Sequence, residues 1–257
     1  MQLPAGLSLT WLGHATFLVQ SPGGRRVLID PWVMNNPACP ENLKRIDRLD
    51  LMLITHGHFD HIGDAVEIAR QTGCKVIGIF ETCHWLQGKG VQNTSPMNKG
   101  GTQEVDGIRV TMVHAVHSCG ILDGDQIIYG GEACGYVVTF ENGFKLYHAG
   151  DTAVFKDMEL IGKLYGPDLA LLPIGDHFTM SPREAAEAIR LLGVKAVIPM
   201  HFGTFPVLTG TPAALRELTS DILDLEIVEL EPGQTWVVGE TGRRPFYYDD
   251  VAGRHGE

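Results

Sequence analysis

Five short apolar segments of this 257-residue chain each run almost directly into a histidine or an aspartate. Arg26–Ile29 meets Asp30, residues 51–55 meet His56, and residues 110–115 lead to His117-Ser118. Residues 145–147 lead to His148-Ala149-Gly150-Asp151, and residues 194–199 lead to Met200-His201. Apolar runs of roughly four to eight residues read as buried strands. In open α/β sheets, ligands collect outside the carboxyl ends of such strands. The pattern therefore restricts the chain to folds that gather several strand ends at one edge. The richest of these ends is His56-Gly57-His58-Phe59-Asp60-His61, which packs three imidazoles and a carboxylate into one short stretch. Polar groups of this kind are costly to bury without partners. Each is a good ligand for a divalent ion such as zinc, manganese or iron.

The rest of the chain supplies the frame for such an edge. Residues 7–12, 16–19 and 26–29 predict three strands, with Ser21-Pro22-Gly23-Gly24 turning between the last two. After the strand at 51–55, residues 64–72 have helical spacing and Lys75–Ile79 returns as a strand, which predicts a right-handed parallel crossover. Residues 136–140 and 144–147 flank Glu141-Asn142-Gly143, a hairpin signal. A strand is expected at 168–172. Ser181-Pro182-Arg183-Glu184 combines a helix cap, a proline at the first helical position and an acid at the third. A strand over 194–199 follows, and Thr211-Pro212 opens a last helix. No linker rich in Pro, Gly or Ser separates the halves. The prediction is one domain over residues 1–240, with halves of about 1–134 and 135–240, and a C-terminal tail over 241–257 that frays at 253–257.

Composition narrows the partners. With 44% hydrophobic residues the chain can bury a large core, and its net charge of −11 argues against nucleic acid or an anionic membrane as a partner. A small-molecule substrate is expected instead. The five cysteines are scattered and form no Cys-x-x-Cys pair, which fits a reducing compartment. Residues 1–6 lack a basic patch followed by an apolar run, and no apolar stretch is long enough to span a bilayer. A cytoplasmic location is the expectation.

The ordered set of motifs resembles the metallo-β-lactamase superfamily, and more narrowly its small branch of uncharacterised metal-dependent hydrolases. The likeness runs over roughly residues 7–236. It is carried by Trp11-Leu12-Gly13-His14-Ala15, Leu28-Ile29-Asp30-Pro31, Thr55-His56-Gly57-His58-Phe59-Asp60-His61, His117-Ser118, Tyr147-His148-Ala149-Gly150-Asp151-Thr152, Leu172-Pro173-Ile174-Gly175-Asp176 and Ile198-Pro199-Met200-His201. The resemblance implies an α/β fold, a four-layer αβ/βα sandwich, with a dinuclear metal site. Carried over by position, His56, His58 and His117 hold one ion, Asp60, His61 and His201 hold the other, and Asp151 bridges them. Two divalent ions are implied, zinc first, with manganese, iron or nickel as alternatives. A hydroxide shared by two ions about 4 Å apart is then the nucleophile. Asp60 and Asp151 are the catalytic carboxylates, Asp60 also orienting that hydroxide. The branch often forms homo-oligomers, although no coiled coil or obvious interface segment is visible in this chain.

Other positions are read against that set. His114 competes with His117, which is preferred because Ser118 follows it, a preference resting on resemblance. Asp30, His14, His148 and His177 are candidates to brace the ligands or touch substrate. His177 departs from the asparagine expected in this branch. Cys119 reads as inert, His84 and Trp85 as part of a helix face, and the glycine-rich stretch 118–135 as a pocket-lining loop. The reaction expected is hydrolysis of a small ester-like substrate, phosphodiesters first, because His58 stands where redox diiron relatives carry glutamate. A lactone, amide or β-lactam ring is the alternative, and a non-catalytic metal-binding protein is the alternative of another class.

Overall fold

A computed structural model describes residues 6–238 and the strand at 245–247. From the N-terminus, β1 (Ser8–Trp11), β2 (Phe17–Gln20) and β3 (Arg26–Ile29) form an antiparallel meander. Then β4 (Leu51–Leu53), β5 (Lys75–Ile79) and β6 (Thr94–Met97) add in parallel. The one-turn helix α1 (Phe59–Ile62) and helix α2 (Ala65–Thr72) link β4 to β5, and α3 (Phe80–Gly88) links β5 to β6. β4 is apolar at every position and buried, as a parallel strand covered on both faces requires. Gly73 closes α2 with φ 67°, a left-handed conformation that costs glycine nothing.

The chain crosses to a second sheet at residues 98–101. There β7 (Thr102–Val105) pairs with β8 (Ile108–His114), and β9 (Gly120–Asp123) with β10 (Gln126–Tyr129) forms a separate hairpin. The antiparallel strands β11 (Cys134–Thr139) and β12 (Lys145–His148) follow, joined by the Glu141-Asn142-Gly143 turn. Helices α4 (Met158–Tyr165), α5 (Pro182–Leu192) and α6 (Pro212–Leu218) alternate with the parallel strands β13 (Leu169–Pro173), β14 (Ala196–Met200) and β15 (Glu226–Ile227). Finally β16 (Thr235–Val238) returns to pair with β1, and β17 (Pro245–Tyr247) pairs with β16. The sheets hold eight and seven strands, in the orders β17-β16-β1-β2-β3-β4-β5-β6 and β15-β14-β13-β12-β11-β8-β7.

Two boundaries differ from the sequence expectation. The seam between sheets lies near residue 100 rather than 134, because β7 pairs with β8 and β8 with β11, and neither pairs with β6. Residues 245–247, inside the segment read as a tail, form a strand held by backbone pairing, which needs no apolar periodicity. The expected fraying of residues 253–257 lies outside the described residues.

Alternation along the strands builds the layers. Leu51 and Leu53 of β4, Leu169 and Leu171 of β13, and Ile198 and Met200 of β14 point into one core between the sheets. Met52 points the other way, onto Ile68 and Ala69 of α2 and Leu86 of α3. Ala170, Leu172 and Val197 pack onto Ile161 of α4, Ile189 of α5 and Leu215 of α6. Helix, sheet, sheet, helix is thus the direct outcome of period-two burial on both sheets. Among the described residues no helix is long and apolar enough to cross a membrane.

Helix α5 starts where the sequence says it should. Ser181 accepts from the Glu184 N–H, and Glu184 accepts in return from the Ser181 N–H at 2.9 Å. Ser181→Ala is expected to remove about 1 kcal/mol of stability. It should lower the urea midpoint while leaving the denaturant slope unchanged.

Candidate metal centre

The strand ends of the two sheets meet at one edge, and two backbone bonds fix the meeting. Cys134 N–H donates to Thr55 O at 3.0 Å, and His201 N–H donates to His14 O at 3.0 Å. His14 (φ 57°), Asp30 (φ 53°) and His201 (φ 56°), at strand ends on this edge, have left-handed backbones without being glycine. Such conformations cost on the order of 1–3 kcal/mol each and persist where the surroundings over-determine them. Here each breaks the strand direction and turns its side chain across the strand end. Gly150 (φ 63°) does the same before Asp151, where a Cβ would stand 2.7 Å from Cys134 O.

Asp30 is fully buried and makes all of its contacts within the chain. Its Oδ1 accepts from Thr55 N–H at 2.8 Å, and its Oδ2 accepts from the Thr55 hydroxyl at 2.7 Å and from His61 Nδ1 at 2.8 Å. In its neutral form His61 therefore carries its proton on Nδ1 and turns Nε2 inward. The Thr55 oxygen, having given its hydrogen to Asp30, accepts from His56 Nδ1 at 3.0 Å. That leaves the Nε2 of His56 free as well. It faces His58 Nδ1 at 3.1 Å, and His117 Nε2 lies 3.3 Å from the same atom. Ser118 Oγ holds the outer nitrogen of His58 at 3.1 Å.

Asp151 stands between two groups of imidazoles. Its Oδ2 is 3.0 Å from His201 Nε2 and 3.3 Å from His61 Nε2, and 3.6 and 3.8 Å from His117 Nε2 and His56 Nε2. Asp60 Oδ2 is 3.7 Å from both His61 Nε2 and His201 Nε2. Despite that closeness, His61 Nε2, Asp151 Oδ1 and both ring nitrogens of His201 are buried without a hydrogen-bond partner among the described residues. Buried polar atoms are rarely left unpaired. Donor atoms of His56, His58 and His117 lie within 4.8 Å of one another, as do those of His14, Asp60, His61 and His201. This donor set, imidazole and carboxylate without thiolate, fits divalent ions of the zinc, manganese or iron type.

Electrostatics follow from the crowding. Burial pushes the Asp60 and Asp151 carboxyls up, but the imidazoles outweigh it and hold both well below the usual carboxylate range. His61 contributes most at Asp60, and His201 and His61 at Asp151. Burial lowers His61 and His201, yet the neighbouring carboxylates, led by Asp151, raise both, His201 to about 9. Burial, with His201 nearby, lowers His14 to about 4. His56 and His148 are lowered mainly by burial.

The remaining sequence candidates separate cleanly. His14 Nε2 bonds Asp60 Oδ2 at 2.9 Å, and His14 Nδ1 bonds Thr204 Oγ1 at 3.0 Å, so both nitrogens are engaged in positioning Asp60. His148 is buried away from the cavity. Its Nδ1 accepts from Gly150 N–H, and its Nε2 donates to Ala15 O at 3.0 Å, so it braces the turn before Asp151 and contacts no substrate space. His177 is exposed and packs edge-on against Phe178, and it is Phe178 that lines the cavity. His114 points elsewhere, to Lys99 at 3.0 Å and the Phe155 ring, whereas His117 joins His56 and His58. Cys119 is buried and its thiol is pushed up by burial, in keeping with an inert role.

A cavity of about 640 Å³ opens over these residues, with His58, Asp60, His117, Asp151 and His201 among its lining groups. Phe59, Leu122, Ile127, Phe178 and Phe205 also line it. Sequence reasoning placed residues 118–135 at the pocket but missed the apolar character of this wall. Leu122 and Ile127 fall in the glycine-rich stretch, which forms the β9–β10 hairpin rather than a plain loop. The Asp123-Gly124 turn between the apolar pairs 121–122 and 127–128 was the available signal.

The model of the beta-lactamase superfamily domain matches residues 25–202. A metal-dependent hydrolase of Koribacter versatilis is 63% identical over 231 residues, covering 90% of this chain and 98% of its own. One from Rubrobacter xylanophilus is 54% identical over 235 residues, covering 91% and 97%. Among solved structures, a metallo hydrolase from the archaeon Ignicoccus hospitalis superposes with a TM-score of 0.78 at 37% identity, over 89% of this chain and 97% of that one.

The shifted histidines make stability depend on pH in both directions. As pH falls below 6.5 the unfolded chain protonates its His14 before the folded chain does, so stability drops from 6.5 towards 4. As pH rises above 6.5 the folded chain keeps a proton on His201 that the unfolded chain has released, so stability drops towards 9. Urea midpoints of the chelator-treated protein should peak near pH 6.5. A midpoint that does not change from pH 4.5 to 9 contradicts the described electrostatics.

Proposed function

The chain belongs to the beta-lactamase superfamily domain family, and from that premise we propose a dinuclear metal-dependent hydrolase of a small ester-like substrate, phosphodiesters first. One observation carries the reading: a single oxygen of Asp151 stands within 4 Å of imidazoles from both groups while inward nitrogens of His61 and His201 lack partners. In this reading His56, His58 and His117 hold one ion, Asp60, His61 and His201 hold the second, and Asp151 serves both. Zinc is the first choice by donor chemistry, with manganese, iron or nickel as alternatives. Bound there, two such ions supply an activated water nucleophile at neutral pH and polarise the scissile group.

The chain's own groups do the rest. Asp30 and Thr55 fix the tautomers of neutral His61 and His56, so that both would present Nε2 lone pairs to bound ions. His14 donates to Asp60 and keeps that carboxylate turned into the cavity, where it can orient an attacking water.

A second reading, opening of a lactone or amide ring, is favoured by one feature. Among the described residues that line the cavity there is no Lys or Arg, which suits an uncharged acyl substrate. A non-catalytic metal-binding protein is the reading of another class, and turnover separates it from both.

The test is metal analysis followed by parallel assays with added Zn²⁺, Mn²⁺ or Ni²⁺. Substrates are bis(4-nitrophenyl) phosphate, 4-nitrophenyl phosphate, a lactone and a chromogenic β-lactam. Two ions per chain and phosphodiester turnover abolished by chelator are expected. Asp151→Asn should lose bound metal and lower kcat/KM by roughly 100-fold or more. Hydrolysis no faster than that of an Asp60→Ala/His61→Ala variant overturns the proposal.

A further inference from the structure

The charged groups account only for the floor of the cavity. Its wall is built from Phe59, Leu122, Ile127 and Phe178, exposed by 56, 60, 79 and 58%. Large apolar side chains scattered singly over a surface need no explanation, but four around one opening do. In the β9–β10 hairpin Leu122 is the register partner of Ile127, so the two stand side by side on one face, which also carries the cavity-lining Gly120. Ile121, alternating with them, is buried and fastens the hairpin's other face to the protein.

The hairpin is held at both ends. At its root Gly130 N–H donates to Cys119 O at 3.1 Å, and the Thr82 hydroxyl donates to Gly130 O at 2.8 Å. At its tip Asp123 accepts from Trp85 Nε1 at 2.9 Å and from Lys89 Nζ at 2.7 Å. Leu122 and Ile127 are therefore presented outward by a tethered element. The charged residues among the described lining are Asp60 and Asp151, both at the floor, apart from the imidazoles. The wall offers no partner for a second charge on a ligand. It offers burial of apolar surface, which works on any aryl or alkyl group of suitable size.

We propose that Leu122, Ile127 and Phe178 form a subsite for an uncharged aryl or alkyl group on the substrate, and that this subsite sets specificity. The proposal rests on the hydrolytic reading of the floor, since it is the continuity of wall and floor that assigns the wall to substrate. It predicts selection for diesters or esters with an apolar substituent and against sugar-bearing or multiply charged ones.

Two measurements on the metal-loaded protein test it. The first compares kcat/KM for phenyl 4-nitrophenyl phosphate and methyl 4-nitrophenyl phosphate. In both, water adds at phosphorus and 4-nitrophenolate leaves, so charge and cleaved bond are the same and only the apolar group differs. The second compares the Kd of phenylphosphonate and methylphosphonate by calorimetry, with no bond cleaved. A preference for phenyl of about 10-fold or more is expected in both. It should shrink to about 2-fold or less in Leu122→Ser/Ile127→Ser and stay at the wild-type value in Leu223→Ser, an 81% exposed apolar residue outside the cavity. Equal values for phenyl and methyl in wild type, or an undiminished preference in the double variant, overturn the subsite. A dimer that the double substitution dissociates, with no preference for phenyl, overturns it too and assigns the face to a second copy of the chain. Phenyl-selective binding without hydrolysis leaves the subsite standing and defeats the hydrolytic reading. Hydrolysis without selectivity does the reverse.

Discussion

The carboxylate of Asp30 is the contact on which the centre is organised. It is a buried charge at the end of β3, in a left-handed conformation, and it accepts three hydrogen bonds from the next strand and the helix beyond. Two of them come from Thr55, which aligns the end of β4 with the end of β3. The third fixes the proton of His61, and through the Thr55 oxygen the same carboxylate also dictates the tautomer of His56. One side chain thus sets which nitrogens face inward on two elements. A buried carboxylate is strongly unfavourable unless fully hydrogen-bonded. Its cost is what gives the arrangement a single solution.

Around that contact, strain and burial are concentrated at one edge of the molecule. His14, Asp30 and His201 hold backbone conformations that ordinary residues avoid, while the two sheets behind them are regular and apolar. The core between the sheets, together with the helix layers outside, provides stability that the edge consumes. The unpaired nitrogens of His61 and His201 belong to the same trade: a fold optimised only for stability would have satisfied or removed them.

Much of this was legible in the sequence, and the reason is the chemistry of strand ends. An apolar run followed at once by His or Asp marks where a buried strand emerges, so β3, β4, β12 and β14 and their polar termini could be placed from residues alone. The capping box at Ser181 and the turn at Glu141-Asn142-Gly143 were equally explicit. Pairing was less legible. β6, β7 and β15 are short and largely polar, and nothing in them says which sheet they join; it is the pairing of β8 with β11 that carries β7 into the second sheet and moves the seam to residue 100. His148 and His177 could not be separated from the other candidates without direction. Both follow apolar runs, but one turns into the core between the sheets and the other out to solvent. The wall of the cavity was hidden for a related reason: Leu122, Ile127 and Phe178 have core-like chemistry, and only three-dimensional placement shows that they stand outside it.

The tethering of the β9–β10 hairpin has a consequence for how such a chain can change over generations. Ile121 faces inward and Asp123 ties the tip to α3, so the outward positions 122 and 127 lie outside the core and outside the two large sheets. Substitutions at such exposed positions cost little stability, while the imidazoles and carboxylates beneath are locked by backbone and hydrogen bonds. Reactivity and selectivity are therefore inherited on separable stretches of polypeptide. A lineage can drift from one substrate to another through a handful of exposed side chains, with the underlying reaction passed on intact.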